Sequence, residues 1–374
     1  MELTTRLRPT PRPYAFLAIV ALLVLALAVA LLVAGSSRRV APPFGLAANG
    51  KLAFVQAGQI YTSDYPGAIP RPVTTGAATY DRPVFSRDGS RIAYQHFSDI
   101  EAQRGDVIVA DADGSNSMVL DSGISPIGSI SWSPDSRYLA YMVDQDGDGP
   151  AKMGFVIRAV DGSTRTVIDT LPGGAWGPSW SPDGKRLAVG VDPGGYTDLY
   201  VVDRDGSNAR KLNHIRTKEG GDSNVEWSPD GATIAFAGGD PERSMSVYLV
   251  GLDGSPERLI SGIDDASDPA FSPDGSRLAY VRRDPAGRGS EVVIADSTGA
   301  FQKTLPGYYG KFEPAWSPDG TKIAILSPDG AGEETEPALV VLDVDGTADP
   351  VVIPASNPDV AMPEYSMTWQ RVAN

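Results

Sequence analysis

Cysteine is absent from this 374-residue chain, and histidine occurs only twice, at His96 and His214. Without cysteine the chain has no disulfide framework, no thiolate chemistry, no sulfur-bound metal and no residue that could carry a lipoprotein's acyl group. Positive charge is also scarce, because 32 Lys and Arg stand against 47 Asp and Glu, and the net charge is −15. Phosphate would be repelled by that surplus, so we expect no nucleic-acid partner.

What the sequence does contain is a repeat that opens with an aromatic residue. Its clearest copies begin at Trp180, Trp227 and Trp316, where Ser-Pro-Asp-Gly follows and leads into a second apolar run. The intervals run from 44 residues, between Trp227 and Phe271, to 53, between Trp316 and Trp369. An all-β unit repeated with a period in the forties is typical of a propeller blade. The aromatic positions are Phe85, Trp132, Trp180, Trp227, Phe271, Trp316 and Trp369.

Each repeat carries the signals of four strands. The aromatic residue lies on the first strand, where we expect it to pack between neighbouring blades. In the Ser-Pro-Asp-Gly hairpin, Pro presets φ and Gly accepts a positive φ. The second strand reads basic-apolar-Ala-aromatic, as in 91–94, and a third apolar run such as 199–202 ends in an Asp-Gly turn. An outer strand such as 210–212 completes the blade.

The two ends of the repeat array decide the blade count. The first segment supplies second, third and fourth strands at 51–54, 59–61 and 71–73, but it has no aromatic first strand. The last segment, around Trp369, supplies a first strand and nothing after it. The sequence therefore predicts an all-β fold, a seven-bladed β-propeller in which the last strand completes the first blade. Such closure leaves no open sheet edge.

On these motifs the chain resembles the TolB-like propeller family over about residues 50–371. Two turns depart from the signature, Ser-Arg-Asp-Gly at 86–89 and Ser-Pro-Asp-Ser at 133–136, and both substitutions are compatible with a turn. Similar repeats occur in the propellers of prolyl-oligopeptidase and dipeptidyl-peptidase enzymes, and oligogalacturonate lyases are seven-bladed enzymes that use metal and His. We expect neither TolB's α/β domain nor a hydrolase domain, and the chain has no Gly-x-Ser-x-Gly nucleophile elbow. The resemblance implies a fold and a general binding role, and it implies no particular reaction.

The N-terminal region carries a long uncharged run from Tyr14 to Ala34. As a helix it would rise roughly 31 Å, enough to cross the apolar core of a bilayer. Arg6, Arg8 and Arg12 precede it, which favours a cytoplasmic N-terminus. A cleaved signal peptide is the alternative, although its apolar region is usually shorter. We predict a single-pass membrane protein with a cytoplasmic tail (1–13), a transmembrane helix (14–34), a linker (35–49) and an extracytoplasmic propeller (50–374).

An acidic loop is the candidate metal site. Asp144, Asp146 and Asp148 alternate and Gly149 follows, as at the start of a calcium loop, because hard cations require several oxygen ligands from one turn. The position that a bidentate Glu fills in an EF-hand is Phe155, however. Two interpretations stay open, a weak Ca²⁺ site and a solvated hairpin tip. No other cofactor is predicted, and we interpret both histidines as ordinary loop or strand-end residues.

Aromatic and acidic residues gather in the connections that emerge on one face of the propeller. Recognition surfaces combine such residues, because rings supply contact area and carboxylates supply orientation. The alternative is that each ring covers only the neighbouring blade. The predicted partner-binding residues are Tyr80, Asp81, Trp176, Tyr196, Asp222, Asp265, Asp268, Tyr308, Tyr309, Phe312, Glu313 and Tyr365.

Two classes of function follow from these features. The first is a membrane-anchored binding or scaffold module for an envelope protein, a peptide or a glycan of a bacterial cell envelope, with no catalytic residues. The second is an extracytoplasmic hydrolase or lyase that acts on glycans through carboxylates at the mouth of the propeller channel. The enzyme requires carboxylates within about 5–10 Å of one another. Candidates for such a ring are Asp81, Asp222, Asp268 and Glu313.

Overall fold

A computed structural model of the chain describes the propeller, with gaps in its connections. The predicted transmembrane helix, 14–34, lies outside the described residues. Within them, no helix has the length and apolar character needed to cross a membrane. The described residues are 44–65, 68–99, 104–124, 129–144, 153–192, 196–212, 217–218, 225–239, 245–261, 265–284, 289–300, 302–305, 314–327, 338–353 and 367–373.

These residues form 29 β-strands. In chain order the strands are β1 (Ala48–Gln56), β2 (Gln59–Asp64), β3 (Arg71–Pro72), β4 (Thr79–Phe85), β5 (Arg91–Asp99), β6 (Arg104–Asp111), β7 (Met118–Ile124), β8 (Ser131–Trp132), β9 (Tyr138–Asp144), β10 (Met153–Ala159), β11 (Arg165–Ile168), β12 (Gly174–Trp180), β13 (Arg186–Asp192), β14 (Tyr196–Asp203), β15 (Arg210–Lys211), β16 (Thr217–Lys218), β17 (Glu226–Trp227), β18 (Thr233–Gly238), β19 (Ser246–Gly251), β20 (Arg258–Leu259), β21 (Ala266–Phe271), β22 (Arg277–Arg283), β23 (Ser290–Asp296), β24 (Gln302–Thr304), β25 (Ala315–Trp316), β26 (Lys322–Ser327), β27 (Ala338–Asp343), β28 (Val351–Ile353) and β29 (Met367–Val372).

The strands pair into seven antiparallel sheets, which are the predicted seven blades. Blade 1 has the order β29-β1-β2-β3, so the last strand completes the first blade as the sequence predicts. Blades 2 and 3 follow as β4 to β7 and β8 to β11. Blade 4 contains β12 to β15, with β16 beside β14, and blades 5 to 7 contain β17 to β20, β21 to β24 and β25 to β28.

Strand β29 closes the ring by backbone pairing and by side-chain contacts. Trp369 pairs with Leu52 of β1, and Met367 pairs with Phe54. The Gln370 side chain bonds on both sides, because its Oε1 accepts the Lys51 N–H at 3.2 Å and its Nε2 donates to the Gly89 carbonyl of blade 2 at 2.7 Å. The C-terminal strand therefore links blade 1 to blade 2.

The hydrophobic core is divided among the junctions between blades. The described residues contain seven apolar clusters, and each one joins two neighbouring blades. In one of them, Ala93 and Val107 of blade 2 pack with Trp132 and Leu139 of blade 3. Burial of one large apolar side chain stabilises the fold by on the order of 1.5–3 kcal/mol. As predicted, the repeated aromatic residues lie between blades.

The repeated tryptophans also donate a hydrogen bond to the preceding blade. The indole Nε1 of Trp132 donates to the Val84 carbonyl at 3.0 Å, and that of Trp227 donates to Ser179 at 3.1 Å. Trp316 and Trp369 make the corresponding bonds to Ala270 and Ala315, at 2.9 and 3.1 Å. The exception is Trp180, whose buried Nε1 has no hydrogen-bond partner among the described residues.

The Ser-Pro-Asp-Gly hairpins are held by a repeated set of hydrogen bonds. In the turn at 228–231 the Ser228 hydroxyl donates to Asp230 Oδ1 at 2.6 Å and accepts the Thr233 N–H at 3.0 Å. The Ala232 N–H donates to the same Asp230 oxygen at 2.9 Å. The bond from Ser228, and then the bond from Ala232, hold the pKa of Asp230 below its usual value of 3.8. The ionised Asp230 carboxylate therefore stabilises the turn.

Candidate functional site

The antiparallel strands place two kinds of connection at the two ends of each blade. The Ser-Pro-Asp-Gly hairpins and the Asp-Gly turns join the first strand to the second and the third to the fourth, so they share one end, named here the turn face. The connections from second to third strand and from blade to blade share the other end, named the loop face. Of the predicted partner-binding residues, those that the structure describes lie towards the loop face, namely Tyr80, Asp81, Trp176, Tyr196, Asp265 and Asp268.

The inner strands of the seven blades surround a central channel with a volume of about 360 Å³. That volume is at the lower end of the ~300–1,000 Å³ typical of ligand pockets. Most of the lining consists of serine, proline and apolar residues. The charged residues in the lining are Arg87, Glu226, Asp268 and Arg371.

Three inner strands, β4, β12 and β21, are bulged near their loop-face ends. The bulges contain Arg82, Gly177 and Asp268, with φ of 53°, 50° and 53°. A positive φ is ordinary for glycine but costs energy for Arg82 and Asp268. Backbone strain of this kind clusters at functional sites. The strain marks the loop-face ends of blades 2 and 6.

Carboxylates at these strained ends are held in place. Asp268 lines the channel, and its Oδ2 accepts the Ser267 hydroxyl at 2.8 Å. Asp81 accepts the Arg82 N–H at 2.6 Å, and the Arg82 Nε lies 3.8 Å from its other oxygen. Asp265 is exposed at the start of the same inner segment as Asp268. The loop face thus presents acids on rigid strand ends.

Next to Asp81, a polar row crosses three strands of blade 2. Tyr80, His96 and Asp106 are cross-strand neighbours on β4, β5 and β6. His96 Nδ1 lies 3.1 Å from Asp106 Oδ2, and the other Asp106 oxygen accepts the Gly123 N–H at 3.1 Å. The Tyr80 ring lies 5.2 Å from the His96 ring and 5.8 Å from that of Tyr94, between centroids. Burial, and then the Tyr80 hydroxyl, raises the pKa of Tyr94 to about 12.

The other predicted loop-face residues are described less fully. Trp176 lies within β12, and Tyr196 begins β14, where its backbone pairs with Lys218. The structure therefore brings the predicted residues of blade 2 and of blade 6 to the loop-face ends of inner strands. The predicted residues outside the described ranges are Asp222, Tyr308, Tyr309, Phe312, Glu313 and Tyr365.

The candidate calcium loop falls mostly outside the described residues. Asp144 is the last residue of β9, and its backbone pairs with Met153. Asp146 and Asp148 lie beyond the described part of the loop, as does His214. Within the described ranges, no group of three or more His, Asp or Glu residues could hold a metal ion. The Ca²⁺ site stays a prediction.

Sequence analysis did not single out the residues at the turn-face end of the channel. Arg87 and Arg371 line the channel, and the Arg87 guanidinium carbon lies 5.0 Å from the centre of the Phe44 ring. A sequence signal existed, because each arginine stands two residues after a blade's aromatic, where the other five copies have proline. From the sequence, Arg87 is predicted only to be compatible with a turn.

The blades, the inner-strand aromatics and the Ser-Pro-Asp-Gly hairpins define a closed propeller of tryptophan-containing repeats. Within that class, the sequence profile of the TolB beta propeller domain matches residues 100–369. The chain therefore belongs to the family of TolB beta propeller domains. The predicted resemblance is confirmed.

Among curated proteins, the chain is similar to dipeptidyl-peptidase 5 of Aspergillus fumigatus. The two are 34% identical over 105 residues, which cover 23% of this chain and 15% of that enzyme. The match therefore spans far less than two thirds of the relative's length. It says nothing about the activity of the whole enzyme.

Solved structures with the same architecture come from several kinds of protein. TolB from Acinetobacter baumannii is 22% identical, with a TM-score of 0.56 over 75% of this chain and 66% of its own. Oligogalacturonate lyase from Vibrio parahaemolyticus is 16% identical, with a TM-score of 0.59 over 76% and 83%. Prolyl oligopeptidase B from Galerina marginata is 14% identical, with a TM-score of 0.60 over 87% and 52%. At these identities the likeness concerns the fold alone.

Proposed function

We propose that this protein is a binding module of the bacterial cell envelope, attached to the membrane through residues 14–34 with its propeller outside. Its loop face would hold an envelope protein, a peptide or a glycan. The observation that carries the proposal is the strained, hydrogen-bonded setting of Asp81 and Asp268 at the ends of inner strands. Fixed acids beside aromatic rings give a partner defined contact points at little entropic cost.

Family membership supports a protein partner in general, because TolB-like propeller domains act as protein-interaction modules. It goes no further than that, since one propeller architecture hosts unrelated functions, as the similar lyase and peptidase structures illustrate. The choice of partner depends on the loop-face residues of this chain. Calcium at 144–148 would be an accessory of blade 3 in this proposal.

A glycan hydrolase or lyase is the second candidate, and one observation favours it. The His96 Nδ1 to Asp106 Oδ2 contact of 3.1 Å orients the imidazole, and its Nε2 can then accept a proton as a general base does. The Tyr80 ring beside the pair offers a stacking surface. Purified protein that degrades envelope glycans, with the activity lost in His96→Ala, would favour this candidate over simple binding.

Site-specific photo-crosslinking in native membranes tests the binding proposal. The full chain would carry the photoreactive residue at Tyr80 or Asp265 on the loop face, with Asp205 and Asp253 as exposed control positions on the turn face. We expect a defined crosslinked product from the loop-face positions alone, weakened by Asp268→Ala. Equal crosslinking from both faces, or none from the loop face, would contradict the proposal.

A further inference from the structure

The residue directly before the repeated aromatic lines the channel in every blade. In six blades this residue is half-buried between two buried neighbours, as expected where alternate side chains of a strand point to opposite sides. These seven residues form a ring of side chains around the channel, named here the channel ring. The chemistry of the channel ring differs from one side to the other.

The polar side of the channel ring belongs to three successive blades, 3, 4 and 5. Ser131, Ser179 and Glu226 occupy the ring position there, and Ser129 lines the channel close to Ser131. Each serine hydroxyl can donate one hydrogen bond and accept two. No residue in the described part of the chain bonds the hydroxyls of Ser129, Ser131 or Ser179. These hydroxyls are therefore open to a ligand in the channel.

The opposite side of the channel ring is mainly apolar. Ala270 of blade 6, Ala315 of blade 7 and Val84 of blade 2 occupy the ring position. Thr368 of blade 1 lies among them and contributes a methyl group and a hydroxyl. The alanine side chains are short, so space remains between them and the serines across the channel. A ligand in this space would contact hydroxyl groups on one side and apolar surface on the other.

A short stretch of chain, 44–47, lies at the turn-face end of the channel and is named here the floor segment. Gly45 donates its N–H to the Pro273 carbonyl of blade 6 at 2.9 Å, and its own carbonyl accepts the Nη2 of Arg371 of blade 1 at 2.6 Å. Phe44 lines the channel beside these contacts. The floor segment obstructs this end, so a ligand would enter from the loop face.

The charges of the channel lining balance one another. The lining contains two cations, Arg87 and Arg371, and two anions, Glu226 and Asp268, so it carries no net charge. A charged ligand would lose its hydration without meeting a surplus of opposite charge. An uncharged ligand with hydroxyl groups avoids that loss and can exchange hydrogen bonds with the serines. The balance of charge therefore favours a neutral, hydroxyl-bearing ligand.

We propose that the channel binds a single neutral sugar, with its hydroxyl edge on Ser131 and Ser179 and its C–H face against Ala270 and Ala315. A pyranose ring has both surfaces, whereas a wholly apolar ligand would leave the serine hydroxyls unpaired. The volume of about 360 Å³ restricts the site to a small ligand. This site lies inside the channel and does not depend on the loop-face partner, so the titration and the crosslinking experiment can fail separately.

Calorimetric titration of the full chain tests the proposal with sugars of different stereochemistry, namely glucose, galactose, mannose and N-acetylglucosamine. We expect saturable binding of at least one of them. Glucuronate and glucosamine, which carry a negative and a positive charge, should both bind more weakly than the neutral sugar that binds best. Absence of binding for all four neutral sugars, or equally tight binding of a charged one, would overturn the proposal.

Variants of the channel ring locate the bound sugar. Ser131→Ala and Ser179→Ala should each weaken binding by about two- to tenfold, the loss of one hydrogen bond. Ala315→Leu fills the space from the apolar side and should abolish binding. The control, Ser117→Ala, alters an exposed serine on the turn face and should leave the affinity unchanged. Unchanged affinity in both channel-serine variants would contradict the assignment.

Monodeoxy sugars separate a lost hydrogen bond from a disturbed fold. The monodeoxy sugar that lacks the hydroxyl bonded by Ser179 should bind the wild type and Ser179→Ala equally, because the bond is absent in both cases. The other monodeoxy sugars should still bind the variant more weakly than the wild type. If Ser179→Ala weakened every deoxy sugar to the same extent, the serine would not contact the ligand.

Discussion

At the scale of single residues, the repeated inner-strand tryptophans fill the space between blades, and all of them except Trp180 also donate a described hydrogen bond. Trp227 is 3% exposed, and its Nε1 donates to Ser179, whereas Trp180 is 2% exposed with no described acceptor for its Nε1. An arginine lies over each ring, Arg186 at 5.5 Å from Trp227 and Arg204 at 5.7 Å from Trp180. The two sites therefore differ mainly in one hydrogen bond.

This difference predicts unequal effects of the same substitution. Trp227→Phe removes volume and also leaves the half-buried Ser179 carbonyl without its indole donor, whereas Trp180→Phe removes volume and an Nε1 that has no described acceptor. We expect the free energy of unfolding to fall further in Trp227→Phe, by about 1–3 kcal/mol beyond the loss in Trp180→Phe. Urea unfolding followed by circular dichroism measures both values. Equal losses would mean that the indole bond contributes nothing to the inter-blade contact.

At the scale of elements, the Ser-Pro-Asp-Gly hairpin both reverses the chain and contacts the neighbouring blade. Gly89 and Gly184 hold the same place in two copies, with φ of +70° and +67°. A Cβ on Gly89 would lie 1.9 Å from the Arg371 carbonyl oxygen, whereas a Cβ on Gly184 would meet Pro134 Cδ at 3.6 Å. The turn that contains Gly89 therefore packs closely against the closing strand β29.

We therefore expect substitution by alanine to destabilise the protein more at Gly89 than at Gly184. Gly89→Ala and Gly184→Ala both incur the strain of a positive φ, about 1–2 kcal/mol. Gly89→Ala must also displace the backbone of β29, so we expect a further loss of about 1–3 kcal/mol and a lower melting temperature. Calorimetric melting of both variants measures the difference. Similar melting temperatures would argue against close packing of β29 on blade 2.

The strands and hairpins could be predicted because the sequence patterns that indicate them span only a few neighbouring residues. Pro and Gly within one hairpin, and alternation within one strand, are read over a few residues, so the blades and the place of Trp369 followed from the sequence. The contact of His96 with Asp106 depends on strand register. Sequence analysis gave His96 no partner, because the register of β5 on β6 comes from a connection without a recognisable turn motif.

At the scale of the whole molecule, the turn face carries a ring of aspartates. Burial acts to raise the pKa of all five of these carboxyls, but hydrogen bonds within the hairpins outweigh it and bring each pKa below the usual 3.8. A folded-state pKa below the unfolded one stabilises the fold at any pH above the unfolded value. The hairpin aspartates with this shift are Asp88, Asp183, Asp230, Asp274 and Asp319.

The sign of these shifts predicts acid sensitivity. The stabilisation is complete above about pH 4 to 5 and is lost as the pH falls through the lowered folded-state values, so the melting temperature should drop steeply below about pH 4. Asp230→Asn removes one contributor, and its melting temperature should depend less on pH in that range. A wild-type melting temperature that stays constant down to pH 2 would contradict this account.

The sequence by itself determined the period, the hairpins, the count of seven and the closing strand, because each depends on neighbouring residues or on simple counting. Only the tertiary structure placed Phe44, Arg87 and Arg371 together at one end of the channel. Arg371 and Gly45 are 326 positions apart, and they meet because the ring closes. Ring closure brings residues that are far apart in the sequence into contact. A sequence pattern of a few residues does not predict which side chains then meet at the channel.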